Sequence, residues 1–262
     1  IPYLGSYFYR VNVTKPPLDN KLVRQALSLA IPRQAITENV TKAGQVPSFS
    51  LVPPGLAGYT GAEMAHGNSY EDDLARAREL IIEAGYGPGG KKFPTIEVEW
   101  KVYLDTQSSL GYDVSRSAWI SDYADPNNFI DLFMTGGENN KTGWGNTEYD
   151  RLVRAGNNEL DSVERMQLMS DAEAILMDEM AIMPIYYYVT QTTYTPRLGG
   201  YYPNVKDEHF PKYWYWMNDE ELTAKRAAYP NDGRHEEIKA WGPPEGLYAP
   251  AHPSYQKPQE AR

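Results

Sequence analysis

The stretch SAWISDYADPNNF at residues 117–129 gathers side chains able to hold a charged ligand. The carboxylates of Asp122 and Asp125 flank Tyr123, with Trp119 before them and Pro126, Asn127 and Asn128 behind. A carboxylate beside aromatic rings in a partly dry site anchors an ammonium group through charge-assisted hydrogen bonds worth roughly 1.5–3 kcal/mol. Paired acids among aromatics also describe a glycoside hydrolase, whose two carboxyls stand about 5–9 Å apart. The structural alternative is capping, since Asp is a preferred N-cap for a helix such as the one that NNFIDLF begins.

These residues need a strand to deliver them. Val114–Ile120 alternates loosely and ends in Trp119 and Ile120, so it reads as a buried strand that places Asp122 at its carboxyl end, where α/β folds keep their ligands. Pro126 cannot donate to a ladder and pushes Asp125 away from helical geometry, so the chain turns there.

Around this segment the pattern alternates strand and helix, which points to an α/β fold. Residues 3–13 suit a strand; Asp19 or Asn20 then caps a helix with Leu22, Val23, Ala26, Leu27 and Ala30 as its apolar stripe. A second helix starts at Pro32, points Ile36 and Val40 inward and stops at Gly44. Residues 70–84 form a helix closed by Gly85, and 95–104 read as a strand with Ile96, Val98, Trp100 and Val102 on one face. Helices follow at 147–158 and 162–180, the latter with Asp161 and Glu164 at capping-box spacing and Met166, Met169, Ala172, Leu176 and Met180 along one side. MPIYYYV at 183–189 is strongly β-prone.

Composition narrows the function classes. The 262 residues carry a net charge of −10 and no basic cluster, against a nucleic-acid footprint or adhesion to an anionic membrane. No run approaches membrane-spanning length, and with no cysteine there are neither disulfides nor thiolate metal sites. His66, His209, His235 and His252 are scattered without ligand spacing, so neither metal nor cofactor is expected. GYGPGG at 85–90 lacks the lysine and hydroxyl of a phosphate cradle, and no serine sits in a G-x-S-x-G elbow. The 21 tyrosines and 6 tryptophans suit a cleft that grips varied ligands, although strand alternation turns half of each cluster toward the core. Beginning at Ile1 without a methionine or leader, the chain reads as a piece of something longer.

NVTKPPLDNKLVRQALSLAI (12–31), LVPPG (51–55), ARELIIEAGY (77–86), EWKVYLDT (99–106), YDVSRSAWISDYADPNNF (112–129), NNKTGWGNTEYDRL (139–152) and AIMPIYYYV (181–189) stand in this order, and together they resemble the oligopeptide-binding proteins of bacterial ABC importers, family 5 of the extracytoplasmic solute receptors. The resemblance runs over roughly residues 3–217. It implies a two-lobed periplasmic-binding-protein-like fold of type II whose amino-terminal part is absent here. Residues 1–10 would be a hinge strand, 11–184 the second α/β lobe, trimmed near 95–99, 185–219 the hinge return with part of the first lobe, and 220–262 a charged, proline-rich tail.

The implied activity is capture of an extended oligopeptide, closure, and delivery to a membrane permease with its cytoplasmic ATPase, by a monomer outside the cytoplasm and without catalysis. By the family's WxxD pattern Asp122 meets the peptide ammonium, and Arg116 falls where an arginine meets the peptide carboxylate. An ion pair with Asp113 or Asp105 is the structural alternative for Arg116. Trp119, Tyr123, Tyr7, Tyr9 and Asn139 would line the cleft, while Gln107, Ser108 and Ser109 stand where some peptide receptors place a histidine. The competing readings are the same receptor fold holding an oligosaccharide, the carboxylate glycosidase, and a partner-binding module that docks through the acidic tail.

Overall fold

The computed structural model describes residues 2–96, 98, 99, 103–201 and 204–228. Its organising element is β1 (Pro2–Val11), whose even positions Leu4, Ser6, Phe8 and Arg10 are buried while Tyr7 and Tyr9 are half-buried on the opposite face. After β1 come α1 (Lys21–Leu29), a short α2 (Arg33–Ala35) that runs into a π-helical turn over Ile36–Thr41, β2 (Val46–Pro47) and α3 (Tyr70–Glu83). Next are β3 (Val98–Glu99), α4 (Tyr103–Ser108), β4 (Val114–Ile120), α5 (Asn127–Ile130), α6 (Thr147–Asn158), α7 (Ser162–Glu179) and β5 (Ile182–Val189). A small hairpin-like pair, β6 (Leu198–Gly199) with β7 (Tyr215–Trp216), precedes α8 (Asp219–Ala228).

The main sheet has the order β2-β5-β1-β4-β3, antiparallel except where β3 runs parallel to β4. Mixed α/β architecture is the expected class; α1 packs with α3 and α6 with α7, and their apolar residues share one core with the buried side of β1. The core centres on Phe8, Phe129, Phe133, Tyr149, Met169 and Leu176, all fully enclosed. Met169 and Met180 thus fill core space as their spacing predicts, whereas Met166 is only half-buried.

The helix starts follow local chemistry. Asn20 caps α1 by accepting from the Leu22 N–H, Asn146 caps α6, and Asp161 caps α7 by accepting from Val163 and Glu164. Ser69 caps α3, whose first turn carries Glu71, Asp72 and Asp73 at the positive end of the helix dipole.

Several expectations need correction. Val40 is 74% exposed, not inward, because the buried side of that helical turn belongs to Arg33 and Thr37. The Arg33 guanidinium donates to the carbonyls of Pro184 (2.8 Å) and Ser28 (2.7 Å), so a cation with satisfied donors takes the place a periodicity argument reserves for an aliphatic. Ile120 is 47% exposed at the end of β4. The strand expected over 95–104 is described only at Val98–Glu99, and by Tyr103 the chain is helical; Trp100 and Val102 lie outside the described residues. In the run Tyr213–Trp216 all four rings are exposed, where alternation predicts half of them inward. The solvated helix expected after Asp219 is α8; residues 229–262 of the tail lie outside the described residues.

Two polar ties on α7 hold loops in place, one at residues 51–62 and one after β4, where Asp122 stands. Glu173 is fully buried, and its carboxylate accepts from the backbone N–H groups of Leu51 (2.8 Å), Val52 (2.7 Å) and Ala62 (2.9 Å) and from the Tyr59 hydroxyl (2.6 Å). Burial pushes its pKa up from 4.5 to about 7, and the four donors limit the rise. Arg165 grips Asp125 with two parallel bonds of 2.8 and 2.9 Å, and Asp125 also accepts from the Asn127 N–H (2.9 Å) at the start of α5. Asp125 is therefore a structural cap and an ion-pair partner.

Two outcomes are expected from these ties. Because folding raises the Glu173 pKa, the folded chain holds a proton that the unfolded chain has lost between pH 4.5 and about 7. The contribution of this group is therefore fully present below the unfolded pKa and is lost as pH rises through about 7, on the order of 3 kcal/mol. In Glu173→Gln that slope flattens, while the amide nitrogen strands one backbone N–H at a cost of about 1–3 kcal/mol; thermal unfolding of both proteins at acidic and alkaline pH reads both effects. For Asp125→Ala, loss of the cap and the ion pair lowers stability by about 1–3 kcal/mol. A double-mutant cycle with Arg165→Ala in denaturant titrations should return a coupling of at least about 0.5 kcal/mol.

Candidate functional site

The β4 ladder pairs Ile120 with Gly5, and the Ser121 N–H still donates to the Leu4 carbonyl at 2.8 Å. Beyond that the sheet has no partner for the next N–H. Asn128 supplies one from the first turn of α5: its Oδ1 accepts from the Asp122 N–H at 3.2 Å and from the Trp119 indole N–H at 2.7 Å. The Lys206 ammonium donates to the Ser121 carbonyl, and the Ser121 hydroxyl to the Tyr123 carbonyl. A short loop at the end of a strand is thereby pinned from three sides.

From this frame the Asp122 side chain stands exposed, and among the described residues no hydrogen bond or ion pair reaches its carboxylate. Tyr123 beside it is 50% exposed, its hydroxyl accepting from Asn127 at 3.3 Å. Of the two acids that the glycosidase reading pairs, Asp125 is occupied by Arg165.

Strand register assembles a second feature on the sheet face turned away from the core. Tyr7 lies opposite Ala118 on β4 and Tyr186 on β5, and Tyr9 lies opposite Arg116. Tyr7 stacks on Tyr186 with ring centres 4.8 Å apart and meets Tyr9 and Tyr188 edge-on at 6.1 and 6.3 Å. The Arg116 guanidinium sits over the Tyr7 ring at 5.6 Å, a cation–π contact. Desolvation raises the Tyr186 phenol above its ordinary value, the neighbouring Tyr188 and Tyr7 add to the rise and Arg116 opposes it, so the Tyr186 hydroxyl stays a neutral hydrogen-bonding group. Asp113, an alternative partner for Arg116, lies 3.8 Å from the Lys15 ammonium.

Of the seven residues the sequence nominates, Tyr7, Tyr9 and Arg116 share this face. Asp122 and Tyr123 lie in the loop at the end of β4. Trp119 belongs to the opposite face of β4, half-buried against the core, and reaches the loop through Asn128. Asn139 is exposed, and its backbone carbonyl accepts from the buried Arg10 guanidinium. Asn128, Lys206, Tyr186 and Tyr188 were not nominated. Lys206 reaches the Ser121 carbonyl from 85 residues away and leaves no local signal, Asn128 stands within the 117–129 stretch but its reach back to Asp122 and Trp119 does not show there, and the tyrosines are visible in MPIYYYV while their outward face is not. Among the described residues no group of three His, Asp or Glu is placed to hold a metal ion, and no helix is long and apolar enough to cross a membrane.

Comparison with known proteins agrees with this architecture. Residues 1–98 match the family model "Bacterial extracellular solute-binding proteins, family 5 Middle". The oligopeptide-binding protein OppA of Bacillus subtilis is 33% identical over 233 residues, covering 76% of this chain and 43% of its own length. The solved structure of the Escherichia coli murein tripeptide binding protein MppA superposes with a TM-score of 0.71 at 29% identity, covering 83% of this chain and 49% of that one. Haemophilus influenzae OppA, solved in complex with RPPGFSPFR, gives 0.70 at 26% identity with coverage of 83% and 49%. These neighbours have the two-lobed fold of periplasmic peptide-binding proteins. The chain thus spans less than half the length of the curated relatives it matches. Motif order, sheet topology and these matches agree that the chain belongs to the family 5 bacterial extracellular solute-binding proteins.

Proposed function

We propose that this chain forms one wall of a peptide-binding cleft in the solute receptor of an ABC importer. In this reading residues 11–184 are one lobe, the flanking segments 1–10 and 185–219 are hinge and return, and a second lobe closes over an extended oligopeptide. The receptor works outside the cytoplasm as a monomer, hands its cargo to a membrane permease and catalyses nothing.

The observation that carries this reading is the exposed Asp122 carboxylate, without a partner among the described residues and set on a braced loop beside Tyr123. A folded protein gains nothing by bracing a lone anion for its own stability, whereas a ligand ammonium completes it. Arg116, half-buried over Tyr7, provides a cation on the adjoining sheet face for the peptide carboxylate, and a guanidinium offers that group a planar fork. The rings around it give broad contact with little demand on side-chain identity.

Calorimetric titration of the intact receptor with a mixed tripeptide and with its N-acetylated form tests the anchor. Free peptide should bind at least roughly tenfold more tightly, about 1.4 kcal/mol, and Asp122→Ala should abolish that preference. Binding of an oligosaccharide with no peptide binding would transfer the same fold to a different cargo, since a sugar carries no ammonium for Asp122.

A further inference from the structure

We propose that Asn128 is a positioning residue for the Asp122 carboxylate, holding the anchor through its backbone rather than touching the ligand. This rests on the role for Asp122 proposed above. Asn128 is 6% exposed, so its amide is spent inside the protein. The β4 ladder has run out by Asp122, so its part-buried N–H has no strand partner. Asn128 Oδ1 takes that N–H at 3.2 Å together with the Trp119 indole N–H at 2.7 Å, so one oxygen fixes the half-buried Trp119 ring and the backbone of the residue two places past the strand. With the N–H direction set, the Cα–Cβ bond of Asp122 points into solvent and only its side-chain torsions remain to be ordered when a ligand arrives.

Asn is a poor helix former because it competes for nearby backbone groups, yet here it occupies the first turn of α5. That turn is itself locked, with Pro126 at its start, Asp125 bound to the Asn127 N–H, and Arg165 bound to Asp125. The rigidity of α7 is thereby transmitted through α5 to the anchor. The residue type follows from charge as well as shape. An amide oxygen accepts both N–H groups without burying a charge, and a carboxylate of the same shape accepts them too.

The test compares the affinities of the intact receptor for a free tripeptide and for its N-acetylated form in wild type, Asn128→Leu, Asn128→Asp and Asp122→Asn. The leucine removes both acceptor bonds at similar volume; the aspartate keeps them. In Asn128→Leu the free-to-acetylated preference should fall at least about threefold while the affinity for acetylated peptide stays within about twofold, and Asn128→Asp should restore the preference. A merely structural residue would weaken both peptides alike, and that outcome overturns the proposal, as does an unchanged preference in a folded Asn128→Leu. If Asp122→Asn destroys the preference and Asn128→Leu does not, the anchor stands and positioning by Asn128 falls. If Asp122→Asn leaves it intact, both fall. Hydrogen exchange of the Trp119 indole N–H gives a ligand-free readout, using Asn128→Ser where the leucine variant does not fold. Exchange should quicken by at least about tenfold on loss of the acceptor, and unchanged exchange would overturn the proposed clamp.

Discussion

Strand β1 is hydrogen-bonded on both edges, to β4 over Gly5–Val11 and to β5 over Pro2–Arg10, and almost everything that concerns the site depends on that double pairing. The three strands lie far apart in sequence, so no local preference brings Tyr7, Arg116 and Tyr186 together; register does. Because strand side chains alternate with a period of two, one residue of slippage on either edge would turn the tyrosines into the core and Phe8 out of it. The enclosure of Phe8 against Phe133 opposes such a slip, so the hydrophobic face sets the geometry of the polar one. The irregularity between β1 and β5 at Tyr7 and Phe8 belongs to the same logic. It lets the buried run Ile182–Ile185 give way to Tyr186 and Tyr188 on the outer face.

Below the sheet the interior is held by buried charge as well as by apolar packing. Arg10, Arg24 and Arg33 are each nearly inaccessible and spend their donors chiefly on backbone carbonyls: Asn139 for Arg10, Glu179 and Leu18 for Arg24, Pro184 and Ser28 for Arg33. Burial holds the Arg33 guanidinium down to about 10, still charged at neutral pH. Glu173 does the converse with backbone N–H groups. Arg33 ties the end of α1 to β5, while Arg10, Arg24 and Glu173 each tie a loop segment to a regular element, which is how a chain rich in Pro and Gly turns keeps fixed loops. Removing one would leave several main-chain groups unsatisfied at once, so these positions are more sensitive than an aliphatic of equal burial.

What the sequence makes legible divides along the same line. Elements governed by nearest neighbours were readable: Asp161 with Glu164 starts α7, the alternation of β1 and the β-prone run of β5 are strands, and Gly85 closes α3 in a left-handed conformation. Where a charged residue is buried the pattern misleads, as at Val40, because periodicity assumes that Arg33 faces water. At the candidate site, Asp122, Tyr123, Arg116, Tyr7 and Tyr9 were legible as residue types near a strand end. The separate duty of Asp125 was also readable, since the proline after it marks a helix start. Its bond to Arg165, forty residues onward, was not, nor was the reach of Lys206 to the Ser121 carbonyl. Both are products of how α7 and the segment after β6 happen to pack.

The exposure of Asp122 bears directly on how a wall of this kind could bind. Two unit charges 4 Å apart attract by only about 1 kcal/mol in bulk water, but by about 4 kcal/mol at the effective dielectric typical of a protein surface. Asp122 now stands on the watery side of that difference, on a loop whose backbone is already ordered. Covering it would therefore strengthen the ion pair without further ordering of the loop. If Asp122 anchors a ligand as proposed, much of that affinity comes from whatever second surface excludes water around it, and little from this chain alone. In the proposed reading the same reasoning makes bracing matter most at this position: once water is excluded, a misplaced carboxylate has no solvent to fall back on, and the directional part of the bond would decide between a peptide terminus and a neutral group of similar size.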